Sequence, residues 1–107
     1  RTGAAISQVI GYENTHLKIA FLEVPGGQAV ELIEYVNPPS EERPTEARNV
    51  LGATHFALQV DDIEVMYEKL VASGAKPMNP PSQIAPGRTV CYLQDLDGNW
   101  IELMELA

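Results

Sequence analysis

The chain has 107 residues, of which 45% are hydrophobic and 21% are charged, so it fits one domain or two small fused modules and is not disordered. Fifteen Asp and Glu against seven Lys and Arg give a formal net charge of -8. An acidic surface repels phosphate backbones and anionic lipids, so we expect no nucleic acid or membrane partner. The single cysteine, Cys91, excludes an intramolecular disulfide and agrees with a cytoplasmic location, which we predict.

The first clear secondary-structure signals are two apolar, β-rich stretches at residues 17–24 and 30–36. A turn at residues 25–27, Pro-Gly-Gly, joins them, so the pair predicts a β-hairpin. Residues 37–45 hold three prolines and two glutamates, a composition typical of a linker or an exposed loop.

The second half of the chain predicts the element order β-α-β-β-β. A strand at residues 52–60 alternates apolar and polar side chains, and Asp61 or Asp62 then supplies a helix N-cap. One apolar stripe at helical spacing follows, made of Ile63, Met66, Tyr67, Leu70 and Val71. Gly74 ends this helix where a left-handed residue is favoured. A short strand, a proline-rich loop, a strand, a turn and a last strand are then predicted at residues 75–78, 79–87, 88–94, 95–99 and 100–106.

An internal repeat relates the two halves. Shifting the chain by 71 positions places residues 17–35 on residues 88–106 without a gap, and both copies end in Glu-Leu-x-Glu. Hairpins share glycine turns and alternation for generic reasons, which is the alternative explanation. Glutamate is depleted in strands, however, and both copies place it at the same step, which favours a true repeat.

The repeat register gives the domain organisation. The counterpart of His55 would be 55 − 71 = −16, before Arg1, so the first module is predicted to be N-terminally incomplete. Either the natural protein starts earlier, or a partner chain in a homodimer completes the half-module. We predict an α+β fold of paired βαβββ modules that form an open, curved-sheet cleft. Its parts are the C-terminal portion of the first module at residues 1–36, a linker at 37–51 and a complete second module at 52–107.

Three polar side chains form the candidate site: Glu31, His55 and Glu102. Alternation along the strands places the neighbouring apolar residues against the helix and these three on the uncovered side of the sheet. Singly, a strand histidine or glutamate is more often structural than a ligand. One imidazole and two carboxylates in repeat-related places favour a divalent metal site for zinc, nickel, cobalt, manganese or ferrous iron. The fourth ligand would come from the missing first strand.

Other polar residues are interpreted as structural or remain open. His16 is read as a turn or surface residue, and Cys91 as a small buried hydrophobe. Asp95 and Asp97 are read as turn residues beside Gly98, which takes a positive φ. A further three residues either line a substrate pocket or are ordinary sheet residues: Arg88, Tyr92 and Trp100.

The second module resembles the vicinal oxygen chelate superfamily, also called the glyoxalase/bleomycin resistance/dioxygenase family. The resemblance is carried by Gly52-Ala53-Thr54-His55-Phe56-Ala57-Leu58, Val60-Asp61-Asp62-Ile63, Gly74-Ala75 and Asp95-Leu96-Asp97-Gly98-Asn99-Trp100-Ile101-Glu102-Leu103. The last segment is similar to the family's Asp-Pro-Asp-Gly-Asn turn, with Leu96 in place of proline. The resemblance implies two βαβββ modules around a metal held by His55, Glu102 and Glu31, with a His or Gln from the absent strand.

The resemblance leaves several activities open. The leading hypothesis is an enzyme of the glyoxalase or epimerase kind, in which a metal chelates vicinal oxygens of a small substrate. Glu31 or Glu102 would then move a proton on the carbon next to a carbonyl. The alternatives are an extradiol-type Fe(II) dioxygenase with Glu31 as a bystander, a non-enzymatic binder of the bleomycin-resistance type, and thiol transfer to an antibiotic.

Overall fold

A computed structural model describes residues 1–42 and 47–107 of the chain, which divides into two compact units at residues 1–43 and 44–107. Residues 43–46, part of the predicted linker, lie outside the described residues. The predicted boundaries of the modules and the linker stay predictions. Of the helices in the described ranges, none has the length and apolarity needed to cross a membrane.

The first unit is a β-hairpin preceded by a short helix. Helix α1 spans Ala4–Ile10, and the antiparallel strands β1 and β2 span His16–Val24 and Gln28–Asn37. The hairpin was predicted, but α1 was not, because seven residues without a side-chain N-cap leave little sequence signal. His16 is the half-buried first residue of β1 and bridges to Thr2, so it is a strand residue rather than a turn residue.

The second unit is a five-stranded mixed sheet with one helix on it. Its elements are β3 Phe56–Gln59, α2 Ile63–Ala72, β4 Lys76–Pro77, β5 Ser82–Ala85, β6 Arg88–Gln94 and β7 Trp100–Leu106. The strand order is β3-β7-β6-β4, and β5 also pairs with β6. The first strand of this unit, β3, runs parallel to its last, β7, while β6 and β7 are antiparallel.

Three strands of the second unit differ from the prediction. One is β4, which spans Lys76–Pro77 rather than the predicted residues 75–78. The strand predicted at residues 52–60 is shorter, because its ladder with β7 covers Phe56–Gln59, with one further hydrogen bond from the Val60 amide to the Met104 carbonyl. The loop predicted at residues 79–87 contains a strand, β5, which forms by pairing with β6 despite the neighbouring prolines. Strands β6 and β7 have the bounds that the sequence predicted.

The helix α2 is fixed at its start by two carboxylates. Asp62 is the N-cap and accepts from the Val65 amide at 3.1 Å, while Glu105 of β7 accepts from the Ile63 amide at 2.8 Å. Gly74 follows the helix with φ 106°, the conformation predicted for it. Beneath the helix lies the core, made of Ile63, Cys91, Leu93 and Leu103 with Leu58, Val60, Met66, Tyr67, Leu70, Val71 and Ala75 packed against it.

The two hairpins share one register, as the repeat predicted. In β6–β7 the cross-strand pairs run from Arg88 with Leu106 to Gln94 with Trp100. Subtracting 71 from both members of each pair gives pairs that β1–β2 forms, from Leu17 with Tyr35 onward. Glu31 therefore lies opposite Phe21, as Glu102 lies opposite Tyr92. The burial of the two hairpins differs. Leu32, an apolar neighbour of Glu31, is 51% exposed, whereas its counterpart Leu103 is 1% exposed.

Candidate functional site

The sheet of the second unit has two chemically different faces. Side chains alternate along β7, so Leu103 and Glu105 point to α2 while Glu102 points to the opposite face. On that face Glu102 is flanked by Tyr92 of β6 and by Ala57 of β3, its two cross-strand partners. This is the side of the sheet that the sequence predicted for the site.

Three side chains converge on this uncovered face. His55 Nε2 lies 3.3 Å from Glu102 Oε2, and the Tyr92 hydroxyl lies 3.2 Å from His55 Nε2 and donates to Glu102 Oε2 at 3.3 Å. The imidazole and phenol rings meet edge to face, with centroids 5.0 Å apart. Glu102 is only 9% exposed, whereas His55 is open to solvent. The mostly buried Glu102 carboxylate thus contacts two polar side chains, those of His55 and Tyr92, on a face that solvent can reach.

A basic side chain lies beside this cluster. The Arg48 guanidinium carbon is 4.8 Å from the centroid of the Tyr92 ring and 4.6 Å from that of Trp100. Such distances are typical of cation–π contacts, which aromatic ring faces make with guanidinium groups. Arg48 therefore contacts Tyr92 of the cluster. Among the described residues, it forms no ion pair with Glu102.

The Tyr92 phenol has a raised pKa. Partial burial is the largest cause, followed by the negative charge of Glu102 and the hydrogen bond to it, while the charges of Arg48 and Arg88 act in the opposite direction. Each of the raising causes disfavours a phenolate beside the carboxylate. Tyr92 is consequently a neutral hydrogen-bond donor to Glu102 at neutral pH.

A spectroscopic titration checks this assignment. We expect the difference in tyrosinate absorbance between the wild type and Tyr92→Phe to show a midpoint above 10.0, the ordinary pKa of the phenol. Because the folded-state pKa is raised above the unfolded value, the stability from Tyr92 is complete below pH ~10 and is lost as pH rises through the folded pKa. A difference curve with its midpoint below pH ~10 would contradict the hydrogen bond from the phenol to Glu102.

The separation of His55 and Glu102 suits a shared metal ion. Two donor atoms bound to one tetrahedral ion at about 2.0–2.2 Å are about 3.3–3.6 Å apart. The 3.3 Å between His55 Nε2 and Glu102 Oε2 lies in that range, although it also suits a hydrogen bond. Within residues 1–42 and 47–107, no group of three or more His, Cys, Asp or Glu side chains is close enough to hold an ion. His55 and Glu102 are thus a two-ligand set.

The other residues predicted for the site are placed as follows. Glu31 is exposed on β2 of the first unit, and its role as a ligand stays a prediction. Arg88 is the exposed first residue of β6, four positions before Tyr92 and on the same face, and its charge acts on the phenol. Its role in a substrate pocket also stays a prediction. Cys91 is 0% exposed in the core, as expected for a small buried hydrophobe.

Arg48 is the residue that the sequence did not indicate. It lies within the predicted linker at residues 37–51, where no periodic pattern assigns a partner to a side chain. The only available signal is compositional, because a basic residue is uncommon in a chain with seven Lys and Arg and fifteen Asp and Glu. Its contact with Tyr92 and Trp100 depends on the folded path of the chain before β3.

Comparisons with known proteins agree on one family. The sequence profile of the Glyoxalase/Bleomycin resistance protein/Dioxygenase superfamily matches residues 3–103. A solved glyoxalase family protein from Bacillus cereus is 27% identical, with a TM-score of 0.90 over 100% of this chain and 74% of that chain. No curated protein matches the chain significantly.

Two other solved structures share the fold at lower identity. A glyoxylase/bleomycin resistance protein/dioxygenase domain from Frankia is 23% identical, with a TM-score of 0.64, covering 85% of this chain and 70% of that one. A superfamily member from Sphaerobacter thermophilus is 18% identical, with a TM-score of 0.55, covering 94% and 85%. The predicted α+β fold of the glyoxalase/bleomycin resistance type is thereby confirmed.

Proposed function

Since the chain belongs to the Glyoxalase/Bleomycin resistance protein/Dioxygenase superfamily, we propose that it is a metal-dependent enzyme of the glyoxalase or epimerase kind. It would move a proton on the carbon next to a metal-chelated carbonyl of a small substrate. The superfamily binds small molecules and its members commonly use divalent metals, which is the general basis of the proposal. The specific reaction that we propose rests on His55 and Glu102 of the second unit, together with Glu31.

The observation that carries the proposal is the pairing of His55 and Glu102 at 3.3 Å on the uncovered face of the sheet. A nitrogen and a carboxylate oxygen at this spacing are a borderline-to-hard donor set, suited to zinc, nickel, cobalt, manganese or ferrous iron. Glu102 is held by β7 between two neighbouring strands, so its position needs little reorganisation when an ion binds. Glu31 is the third ligand in the proposal, by its repeat relation to Glu102.

The side chains divide the work as follows. A divalent ion held by His55 and Glu102 would polarise the substrate carbonyl and stabilise the negative charge that develops when the neighbouring carbon loses a proton. Glu31 or Glu102 is the carboxylate that takes the proton and returns it. Because Glu102 is mostly buried and hydrogen-bonded, whereas Glu31 is exposed, we assign the base to Glu31. Tyr92 is a positioning residue, since its hydroxyl orients the Glu102 carboxylate.

A second candidate is an extradiol-type Fe(II) dioxygenase. Such an enzyme uses two His and one carboxylate, with open positions for the reactants. The contrast between buried Glu102 and exposed Glu31 favours it, because a single carboxylate ligand would then suffice and Glu31 would be a bystander. The identity of the bound metal separates this reaction from proton transfer.

Metal analysis of the purified protein, together with a proton-exchange assay, tests the proposal. We expect about one divalent ion per site and deuterium incorporation from D₂O, followed by NMR, next to the carbonyl of small hydroxycarbonyl compounds. Tightly bound iron with oxygen-dependent turnover would replace this proposal with the dioxygenase. Absence of metal binding, with small-molecule binding unaffected by Glu102→Ala, would overturn both enzymes and favour a binding protein. The predicted homodimer and cytoplasmic location are separate predictions; sedimentation tests the homodimer.

A further inference from the structure

We propose that Arg48 is a specificity-determining residue that binds a carboxylate group of the substrate, beside the His55–Glu102 pair. The inference deepens the proposed function, because it names a chemical class of substrate for the same face of the sheet. The juxtaposition that carries it is a guanidinium held against the rings of Tyr92 and Trp100, next to the polar cluster.

The two aromatic rings hold the arginine in a way that leaves its donors available. Contacts with ring faces use the π surface of the planar guanidinium, whereas its five N–H groups point outward in the plane. In the described part of the chain, the ion pairs are Lys18 with Glu34 and His55 with Glu102. Among the described residues, no carboxylate is paired with Arg48. Its N–H groups can therefore donate to an incoming anion.

The position of Arg48 brings its guanidinium close to the candidate site. Arg48 contacts the ring of Tyr92, whose hydroxyl contacts both His55 and Glu102, and it contacts Trp100, which lies two residues before Glu102 on the same face of β7. Only the side chain of Tyr92 therefore lies between the guanidinium and a substrate bound at the His55–Glu102 pair. One small molecule could therefore present one functional group to the pair and another to Arg48.

The charge distribution supports an anionic group. The chain carries a net charge of -8, so most of its surface repels anions. Arg48 nevertheless places a positive charge against the rings of Tyr92 and Trp100, beside the polar cluster. We favour a carboxylate over a phosphate, since one guanidinium matches the two oxygens of a carboxylate bidentately, whereas phosphate sites gather more donors.

The test compares the binding of a dicarboxylate with that of its neutral analogue. Glutarate and glutaramide are titrated by calorimetry into wild type, Arg48→Gln and Arg48→Lys, each with and without zinc. We expect Arg48→Gln to weaken glutarate binding about tenfold and to leave glutaramide unchanged. Arg48→Lys should restore only part of the affinity, because an ammonium group cannot bind bidentately. Lys69→Gln, with the same charge change on exposed α2, should bind like the wild type.

A second readout reports from the site itself. Trp100 is the only tryptophan, so glutarate binding at Arg48 should shift its fluorescence in the wild type and not in Arg48→Gln. Equal glutarate binding by wild type and Arg48→Gln, equal losses in Lys69→Gln, or tighter binding of inorganic phosphate than of glutarate would each overturn the proposal.

Zinc binding separates this inference from the proposed function. We expect Arg48→Gln to bind zinc like the wild type, because Arg48 is not a ligand. If neither the wild type nor Arg48→Gln binds zinc but glutarate binding still depends on Arg48, the metal-dependent function fails and the anion site stands. If zinc binds normally and glutarate is indifferent to Arg48, the anion site alone fails.

Discussion

Glu102→Gln is expected to weaken the binding of zinc by about 100-fold, which corresponds to about 2.7 kcal/mol. The substitution keeps the size of the side chain and an oxygen that can accept from Tyr92, but it removes the negative charge that a divalent ion requires. The loss should be visible in competition with a chromophoric chelator. Circular dichroism should remain that of the wild type, since Glu102 lies on the face away from the core.

Glu105→Gln is the matched control for this measurement. It makes the same chemical change three residues further along β7, where the side chain points to the helix and caps the Ile63 amide. A glutamine oxygen can still accept that hydrogen bond, so zinc affinity should be unchanged. Equal zinc affinity in wild type and Glu102→Gln would show that Glu102 is not a ligand, and it would leave the carboxylate as a structural partner of Tyr92.

Leu103→Ala is expected to lower the free energy of unfolding by about 2 to 5 kcal/mol. Leu103 is 1% exposed and lies in the core cluster with Ile63 and Cys91, where truncation leaves a cavity as well as losing apolar burial. The loss is a large part of the ~5 to 15 kcal/mol that stabilises most domains. Urea denaturation followed by Trp100 fluorescence measures it, because the tryptophan is in the same strand.

Leu106→Ala provides the comparison for the core substitution. Leu106 is in the same strand but 50% exposed, so the same truncation should change the free energy of unfolding by less than about 0.5 kcal/mol. Similar losses from both variants would mean that β7 is stabilised along its whole length rather than through the core face. That result would contradict the division of the sheet into a core face and a functional face.

The sequence predicted best where local signals and pairing agree. Strands β6 and β7 alternate, and the Asp95–Asn99 turn between them has its own chemistry, since Asp95 accepts from the amides of Asp97 and Asn99. The repeat then transferred this register to β1 and β2. By contrast, β5 exists only because β6 offers a partner, and no local pattern distinguishes it from a loop.

The candidate site was predictable to the same extent. His55 and Glu102 were placed on one face because strand periodicity decides the direction of a side chain, whereas Tyr92 was left open as a pocket or sheet residue. The structure brings the polar atoms of all three within 3.3 Å. Arg48 could not be found this way, because its position follows from the path of a non-repetitive segment rather than from a period. The connection of Glu31 to this cluster depends on the repeat alone.

The parallel pairing of β3 with β7 has a consequence for folding. It joins the first and last strands of the second unit, so His55 and Glu102 meet across 47 positions of sequence. Contacts between distant segments close late, because the entropy of the intervening loop is lost before they form. A ligand bound by both side chains stabilises this late contact. At a ligand concentration of 100 times its Kd, it raises the free energy of unfolding by about 2.7 kcal/mol. For the metal site proposed above, the metal concentration would therefore set how long this unit resists proteolysis.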